Sequence, residues 1–256
     1  MKHLPNILTL ANLFCGCIAI AFICSSQPYL ATLGDTPYWV SGTEQAYWGA
    51  VFIAIAAVFD VLDGLVARAL QLFSPIGKDL DSLADVVSFG VAPSMILFKM
   101  LWTANIAQPD AMDVPMLAMA PAFLVACFGA LRLARFNVSA PSSTGGFTGM
   151  PIPAAGILIA SFPLINWYVP DMGKFLNNRW ALYGIIAVVC WLMVSKIPFF
   201  KLMPSKWNIS SLWPRIVLVI AAGILFPMFS FAAIPLLFLL YIVLSLIYRA
   251  PAAVKY

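Results

Sequence analysis

The chain has 256 residues, of which 63% are hydrophobic and only 9% are charged. Soluble globular proteins carry roughly 25% charged residues, so this composition and the long apolar runs exclude an ordinary soluble domain and indicate a protein of the lipid bilayer. The formal net charge of +4 suits a surface beside anionic lipids, but it is too small and too dispersed to indicate a nucleic-acid partner.

Apolar segments long enough to cross a bilayer, which takes about 17 to 25 helical residues, follow one another along the chain. We predict an all-α, polytopic transmembrane bundle of about eight spans, with no cleavable signal peptide before the first one. Pro227 and Pro235 interrupt the last apolar run, which predicts a tight helical hairpin or, alternatively, one kinked helix and seven spans. The eight predicted spans lie near residues 5–24, 46–66, 83–104, 114–134, 153–169, 181–197, 214–230 and 232–249.

The distribution of basic residues predicts the orientation, because cytoplasmic loops carry an excess of Lys and Arg. With eight spans and a cytoplasmic N-terminus, only Lys99, Lys174 and Arg179 fall on the external side. Both termini are therefore predicted to be cytoplasmic. The basic residues on the cytoplasmic side are Lys2, Arg68, Lys78, Arg132, Arg135, Lys196, Lys201, Lys206, Arg215, Arg249 and Lys255.

Half of the ten acidic side chains lie in one short segment, FDVLDGLVARALQLFSPIGKDLDSLAD, at residues 59–85. On the second predicted helix, five residues share one face because their spacing is i, i+3, i+4, i+7 and i+8. Two of the five have very small side chains, which leaves room for a ligand to lie against the helix backbone. The five residues are Asp60, Asp63, Gly64, Ala67 and Arg68.

The third predicted helix adds two carboxylates to the same end of the bundle. Gly77, Asp81 and Asp85 lie at i, i+4 and i+8, and a short connection with Pro75 in the first turn makes the two helices antiparallel. Asp79 points away from this face and is expected to be solvated.

Four clustered carboxylates require compensating cations, because each costs about 2.5–3.5 kcal/mol at the centre of a membrane helix. An all-oxygen cluster suits hard divalent ions, so we predict a site for Mg²⁺ or Mn²⁺, with Ca²⁺ as an alternative. Two such ions would balance the four charges, and the bound ions would in turn hold an anionic ligand.

The spacing Asp-x2-Asp-Gly-x2-Ala-Arg-x8-Gly-x3-Asp-x3-Asp at residues 60–85 resembles the signature of the CDP-alcohol phosphotransferase family at every defined position. Further strings resemble the phosphatidylserine synthase branch of that family. They are LPNILTLANLFCG at residues 4–16, LDSLADVVSFGVAPS at 80–94, LRLARFNV at 131–138 and FTGMPIPAAG at 147–156.

These strings cover most of the first 156 residues. The composition favours one integral membrane catalytic domain over residues 1–256, and the distribution of basic residues predicts that its active site faces the cytoplasm. The resemblance implies metal-dependent transfer of the phosphatidyl group from CDP-diacylglycerol to the hydroxyl of L-serine, which gives phosphatidylserine and CMP. It also implies membrane lipids as surroundings and a homodimer as the assembly.

The resemblance also implies roles for individual residues. Asp60, Asp63 and Asp81 would bind the metal pair, and Asp85 would contact a metal and act as the general base. Arg132 and Arg135 could bind the carboxylate of serine or the donor phosphates, or they could simply extend to the lipid headgroups. The residues implied to contact CDP-diacylglycerol are Asn6, Thr9, Gly64, Ala67, Arg68, Ser74 and Gly77.

Three alternatives stay open from the sequence. The acceptor could be glycerol phosphate or inositol phosphate, although either would favour a denser basic pocket. A cation transporter could also place acids within a membrane, but these acids lie toward the cytoplasmic ends of their helices. The Gly- and Ser-rich loop 139–152 could close over the site or serve only as a connector.

Overall fold

The computed structural model describes residues 4–25, 28–33, 36–41, 44–71, 75–106, 108, 113–138, 146–200 and 209–248. Within these ranges helices dominate, which confirms the predicted all-α class. The α-helices are α1 Leu4–Cys24, α2 Glu44–Ala69, α3 Pro75–Asp85, α4 Ala92–Ile106, α5 Leu124–Val138, α6 Ile152–Tyr168, α7 Pro170–Leu176, α8 Arg179–Val194, α9 Ile209–Phe229 and α10 Ala233–Ile247.

Two short antiparallel strand pairs accompany the helices and were not predicted. One pair, β1 Pro28–Leu33 with β2 Thr36–Ser41, connects α1 to α2. The other, β3 Gly146–Thr148 with β4 Pro198–Phe200, joins the loop after α5 to the loop after α8.

Several helical segments are long and apolar enough to cross a membrane, which makes the chain an integral membrane protein. They are Leu4–Cys24, Ala46–Ala69, Ile76–Ile106, Met116–Val138 and Leu212–Ile247, with two shorter apolar helices, Ile152–Tyr168 and Arg179–Val194, between them. The number of crossings, for which the sequence suggests eight, stays a prediction.

The last apolar run folds as a hairpin, one of the two arrangements predicted for it. A short 3₁₀ turn, Ser230–Ala232, separates α9 from α10, and Ser230 has a positive φ of 49°. The rings of Trp213, near the start of α9, and Tyr248, after the end of α10, lie 6.2 Å apart. The two helices are therefore antiparallel rather than one kinked helix.

The third helical segment begins at Pro75, as predicted for the helix that carries Gly77, Asp81 and Asp85, and so starts before the apolar span expected near residues 83–104. In the fourth, residues Met116–Phe123 form a 3₁₀ helix around Pro121, and the α-helix extends from Leu124 to Val138. Proline has no N–H to donate and disfavours α-helical geometry in the residue before it, which accounts for the late start of α5.

A π-helix, Val86–Val91, links α3 to α4 directly after Asp85. It is held between two glycines of neighbouring helices, since a Cβ at Gly16 would lie 2.9 Å from the Ser88 Cα and one at Gly156 would lie 2.9 Å from the Phe89 Cβ. Small residues allow such close approach between membrane helices. The π-helix therefore holds the end of α3, and with it Asp85, between α1 and α6.

Candidate functional site

Three of the predicted metal-binding aspartates come together where α2 ends and α3 begins. One carboxylate oxygen from each of Asp60, Asp63 and Asp81 lies within 4.8 Å of the other two. Asp63 is only 7% exposed, and the other two are half-buried. The helical spacing read from the sequence thus leads to a compact three-carboxylate cluster.

The fourth predicted aspartate lies beside this cluster. Asp85 is buried one helical turn beyond Asp81, and its side chain is within hydrogen-bonding reach of the Asp60 carboxyl. Asp79, in contrast, is exposed, as expected for a residue on the other face of α3.

Helix α1 supports the cluster from the opposite side. The Thr9 side chain is 4% exposed, and its hydroxyl donates to Asp63 Oδ2 at 2.8 Å and lies 3.1 Å from the Pro5 carbonyl oxygen. Sequence reasoning assigned Thr9 to the nucleotide pocket, whereas the structure shows its hydroxyl engaged with a cluster carboxylate. Asn6, assigned to the same pocket, is half-buried one turn earlier on α1.

Asn12 is a site residue that sequence reasoning missed. Its side chain is fully buried, and Asn12 Nδ2 donates to Asp85 Oδ1 at 3.5 Å. Its backbone carbonyl accepts a hydrogen bond from Ser88 Oγ at 3.0 Å. The available signal was an amide side chain three residues after Thr9, on the same face of an otherwise apolar helix.

The residues predicted to contact the nucleotide part of a donor line the adjoining face of α2 and the start of α3. A Cβ added at Gly64 would meet only Arg68 Nη2, at 3.9 Å, so the space above this glycine is open. Ala67 and Gly77 are half-buried, and Arg68 is exposed at the end of its helix. Ser74 lies outside the described residues.

The two arginines predicted for the acceptor side differ in their exposure. Arg132 is 8% exposed and lies within electrostatic range of Asp85. Arg135, three residues later, is exposed. The side chain of Arg132 therefore does not extend to the lipid headgroups, because it is buried in the bundle beside the acidic cluster.

A second missed residue, Asn137, joins α5 to α3. Its side chain donates to Ser82 Oγ at 2.8 Å, and its backbone carbonyl accepts a hydrogen bond from Lys78 Nζ at 3.2 Å. These contacts hold the end of α5, which carries Arg132, against the helix that carries Asp81 and Asp85.

The donor set of the cluster fits a hard divalent cation. All its ligand atoms are carboxylate oxygens, which Mg²⁺, Mn²⁺ and Ca²⁺ prefer. Asp81 Oδ1 is buried and has no hydrogen-bond partner among the described residues. Since a buried anionic oxygen without a partner is costly, a bound cation would satisfy it.

Comparison with known proteins agrees with this geometry. A family model described as CDP-alcohol phosphatidyltransferase matches residues 2–202. The CDP-diacylglycerol–serine O-phosphatidyltransferase of Helicobacter pylori (strain J99) is 33% identical over 208 residues, covering 80% of this chain and 75% of that protein.

Two further relatives extend the similarity. The enzyme of the same name from Bacillus subtilis is 31% identical over 217 residues, covering 81% of this chain and 100% of that protein. The archaetidylserine synthase of Methanothermobacter thermautotrophicus is 32% identical over 201 residues, covering 77% of this chain and 69% of that protein.

Proposed function

The chain belongs to the CDP-alcohol phosphatidyltransferase family, and from this premise we propose that it transfers the phosphatidyl group of CDP-diacylglycerol to the hydroxyl of L-serine. The products are phosphatidylserine and CMP, so the reaction is a step of phospholipid biosynthesis. The observation that carries this proposal is the cluster of Asp60, Asp63 and Asp81 beside the buried Arg132. Relatives named for serine transfer, from two bacteria, support the choice of acceptor.

The cluster provides the metal site of this reaction. Asp60, Asp63 and Asp81 would bind one or both of two divalent ions, Mg²⁺ or Mn²⁺, with Asp85 as a further ligand. When bound, the ions supply Lewis-acid neutralisation of the pyrophosphate and of the departing phosphate. The open face beside Gly64 admits the CDP group, with Asn6, Thr9, Ala67, Arg68 and Gly77 as its expected contacts. Ser74, outside the described residues, is a further contact expected from the family signature alone.

Asp85 is the general base. Its carboxylate takes the proton of the serine hydroxyl as that oxygen forms a bond to the phosphorus of the phosphatidyl group. The bond from this phosphorus to the bridging oxygen breaks, and CMP leaves with the electron pair. Asn12, which donates to Asp85 Oδ1, orients the carboxylate for this transfer.

Arg132 binds the carboxylate of serine. A guanidinium binds a carboxylate through two parallel N–H donors, and burial strengthens such a contact because water competes less. Arg132 is buried near Asp85, so an acceptor held there has its hydroxyl close to the base. Arg135 is exposed and contributes less.

The remaining features of the proposal concern the whole chain. Residues 1–256 are proposed to be one catalytic domain. The family resemblance alone supports its assembly as a homodimer in the membrane. The site end of the bundle, where α2 ends and α3 begins, faces the cytoplasm, a proposal supported by the distribution of Lys and Arg along the sequence. Lys99, which the sequence predicts to be external, lies at the opposite end, where its Nζ donates to the Ile23 carbonyl oxygen at 2.8 Å.

An acceptor panel tests the proposal. The purified full chain is given CDP-diacylglycerol and Mn²⁺ or Mg²⁺, and CMP release is measured with L-serine, glycerol phosphate or inositol phosphate. Of the three acceptors, we expect only L-serine to give CMP release. EDTA should abolish this release, and either metal should restore it when added back.

Other results would reject parts of the proposal. Release only with a phosphorylated acceptor would assign the chain to another branch of the family. No release with any acceptor, together with cation movement into vesicles that contain the protein, would indicate a transporter. Full activity in EDTA would show that the reaction does not need the proposed metal ions.

A further inference from the structure

The π-helix Val86–Val91, which follows Asp85 directly, is enclosed by several helices. Besides its contact with α6, it approaches α1 at Gly16 so closely that an added Cβ there would require neighbouring atoms to shift. It also lies against α5, because a Cβ at Gly90 would be 3.4 Å from the Ala126 Cα. π-Helical turns are rare and occur frequently at functional sites. The position of this one next to the proposed base therefore indicates a role in the site.

The hydroxyl of Ser88, in the middle of the π-helix, bonds to another helix. Ser88 is fully buried, and its Oγ donates to the Asn12 carbonyl oxygen on α1 at 3.0 Å. Serine hydroxyls in helices commonly donate to a carbonyl three or four residues earlier, as those of Ser82 and Ser161 do here. A carbonyl oxygen has two lone pairs, so Asn12 can accept this bond in addition to its own helical bond.

Gly16 makes this bond between helices possible. It follows Asn12 by four residues, which places the two on the same face of α1. A Cβ at Gly16 would lie 2.9 Å from the Ser88 Cα and 3.0 Å from the Ser88 Cβ. A larger residue at this position would therefore push Ser88 away from the Asn12 carbonyl.

Asn12 is thereby held at two points by one short segment. Its carbonyl accepts from Ser88, and its Nδ2 donates to Asp85 Oδ1 at 3.5 Å, three residues earlier on that segment. A hydrogen bond of this length is near the geometric limit, so a shift of roughly a few tenths of an ångström would break it. The bond from Ser88 limits such a shift, because it ties the backbone of Asn12 to the segment that carries Asp85.

We propose that Ser88 is a positioning residue for the base, which keeps the amide of Asn12 against the carboxylate of Asp85. Because Ser88 is fully buried, it acts through Asn12 and not by contact with a substrate. Its effect falls on the chemical step rather than on the binding of serine or donor. This inference rests on the proposed function, in which Asp85 takes the proton of the serine hydroxyl.

The test compares Ser88→Ala with Ser161→Ala. Ser161, on α6, is 1% exposed, and its Oγ donates to the Leu158 carbonyl oxygen of the same helix at 2.6 Å. Each substitution removes one buried hydroxyl that donates to a backbone carbonyl. At saturating Mg²⁺ or Mn²⁺, we expect Ser88→Ala to lower kcat about 3- to 10-fold, the range for losing one hydrogen bond, with the KM values for serine and CDP-diacylglycerol little changed. Ser161→Ala should change neither kcat nor the two KM values.

A double substitution tests whether Ser88 acts through Asn12. In an Asn12→Ala background, Ser88→Ala should cause no further fall in kcat, because coupled residues are not additive. Additive effects of the two substitutions would overturn the inference. An unchanged kcat in Ser88→Ala would overturn it as well, and so would a loss that disappears when the metal concentration is raised.

A second pair of variants covers the case in which Ser88→Ala does not fold in detergent. Gly16→Ala forces Ser88 away from Asn12, whereas Gly49→Ala crowds the other end of α1, with its Cβ 2.9 Å from Ile23 Cδ1. We expect kcat to fall in Gly16→Ala alone, and an equal kcat in the two variants would overturn the inference.

Failure of the inference can be told apart from failure of the proposed function. If the unsubstituted protein releases no CMP with serine, the proposed function itself fails. If the unsubstituted protein is active and Ser88→Ala matches Ser161→Ala in kcat, only the positioning role of Ser88 is wrong.

Discussion

Thr9 Oγ1 donates a hydrogen bond to Asp63 Oδ2 at 2.8 Å and so joins the first and second helices across 54 residues of sequence. Three residues later on α1, Asn12 makes the corresponding contact with Asp85 on α3. One face of an otherwise apolar helix therefore supports both the proposed metal cluster and the proposed base. Partners of this kind orient metal ligands and tune their affinity.

The Thr9 contact predicts a change in metal affinity. Thr9→Val keeps the shape of the side chain but removes the donor to Asp63 Oδ2. We expect the Mg²⁺ or Mn²⁺ concentration for half-maximal activity to rise about 10-fold or more, the usual effect of losing such a partner. Activity should recover in part at high metal concentration, and Thr9→Ser should resemble the unsubstituted protein.

Thr103→Val is the matched control for this experiment. Thr103 is exposed at the other end of the bundle, and its hydroxyl donates to the Lys99 carbonyl oxygen at 3.0 Å. The control should leave the metal titration unchanged. An unaltered titration in Thr9→Val would mean that the hydroxyl has no part in metal binding.

Asn12→Ala should slow the chemical step. Removing the amide leaves Asp85 without its hydrogen-bond donor from α1, and small misplacements of a reacting group can cost about 10²-fold in rate. We expect kcat to fall about 10- to 100-fold for every acceptor that the protein uses, with the KM for serine little changed.

The control for Asn12 is another buried amide. Asn105 is 3% exposed, and its Nδ2 donates to the Leu101 carbonyl oxygen at 2.8 Å, at the end opposite the site. Asn105→Ala should lower the melting temperature without lowering kcat. If kcat fell equally in the two variants, the effect of Asn12→Ala would come from a less stable fold rather than from the position of Asp85.

Gly64→Ala should block the donor without harming the fold. A Cβ at this position meets only Arg68 Nη2 at 3.9 Å, which is ordinary contact. Alanine also favours a helix over glycine by about 1 kcal/mol, so thermal stability should hold or rise. If the CDP group lies against this glycine, the KM for CDP-diacylglycerol should rise about 10-fold or more through steric overlap.

Gly184→Ala, on α8, is the control for this substitution. A Cβ there meets nothing within 4 Å, so its effect on the fold should match that of Gly64→Ala. It should leave the donor KM unchanged. If Gly64→Ala also leaves the donor KM unchanged, the nucleotide binds elsewhere.

Asp85→Asn should remove the base. The amide cannot take a proton from the acceptor hydroxyl, so kcat should fall about 10²- to 10⁴-fold with every acceptor. Donor binding, measured with the unsubstituted protein as the reference, should be largely kept. A loss of activity that is restricted to serine would contradict the assignment, because proton removal is common to all acceptors.

Arg132→Ala should instead weaken serine binding. The lost contact is with a part of serine that does not react, so we expect the KM for serine to rise about 10-fold or more and kcat to change less. Arg135→Ala is the natural control, because Arg135 is exposed where Arg132 is buried, and it should have a smaller effect. Weaker binding of CDP-diacylglycerol with an unchanged serine KM would assign Arg132 to the donor site.

The sequence by itself determined the class of protein and the centre of the site. Apolar runs long enough for a bilayer predict helices, because only helices and closed barrels satisfy the backbone within lipid. The spacing of Asp60, Asp63, Asp81 and Asp85 places them on two helix faces, since residues three and four apart are neighbours on a helix. A short connection then brings the two faces together, as the cluster shows.

Only the tertiary structure decided which other residues meet the cluster. The spacing of Thr9 and Asn12 shows that they share a face of α1, but the face that packs on Asp63 and Asp85 depends on contacts 54 and 73 residues away. Arg132 and Arg135 are equivalent in the local pattern, and the packing of α5 buries one and exposes the other. Helical periodicity is a local property of the chain, whereas the π-helix after Asp85 and the contact of Tyr241 with Phe200 arise from close packing between distant helices and strands.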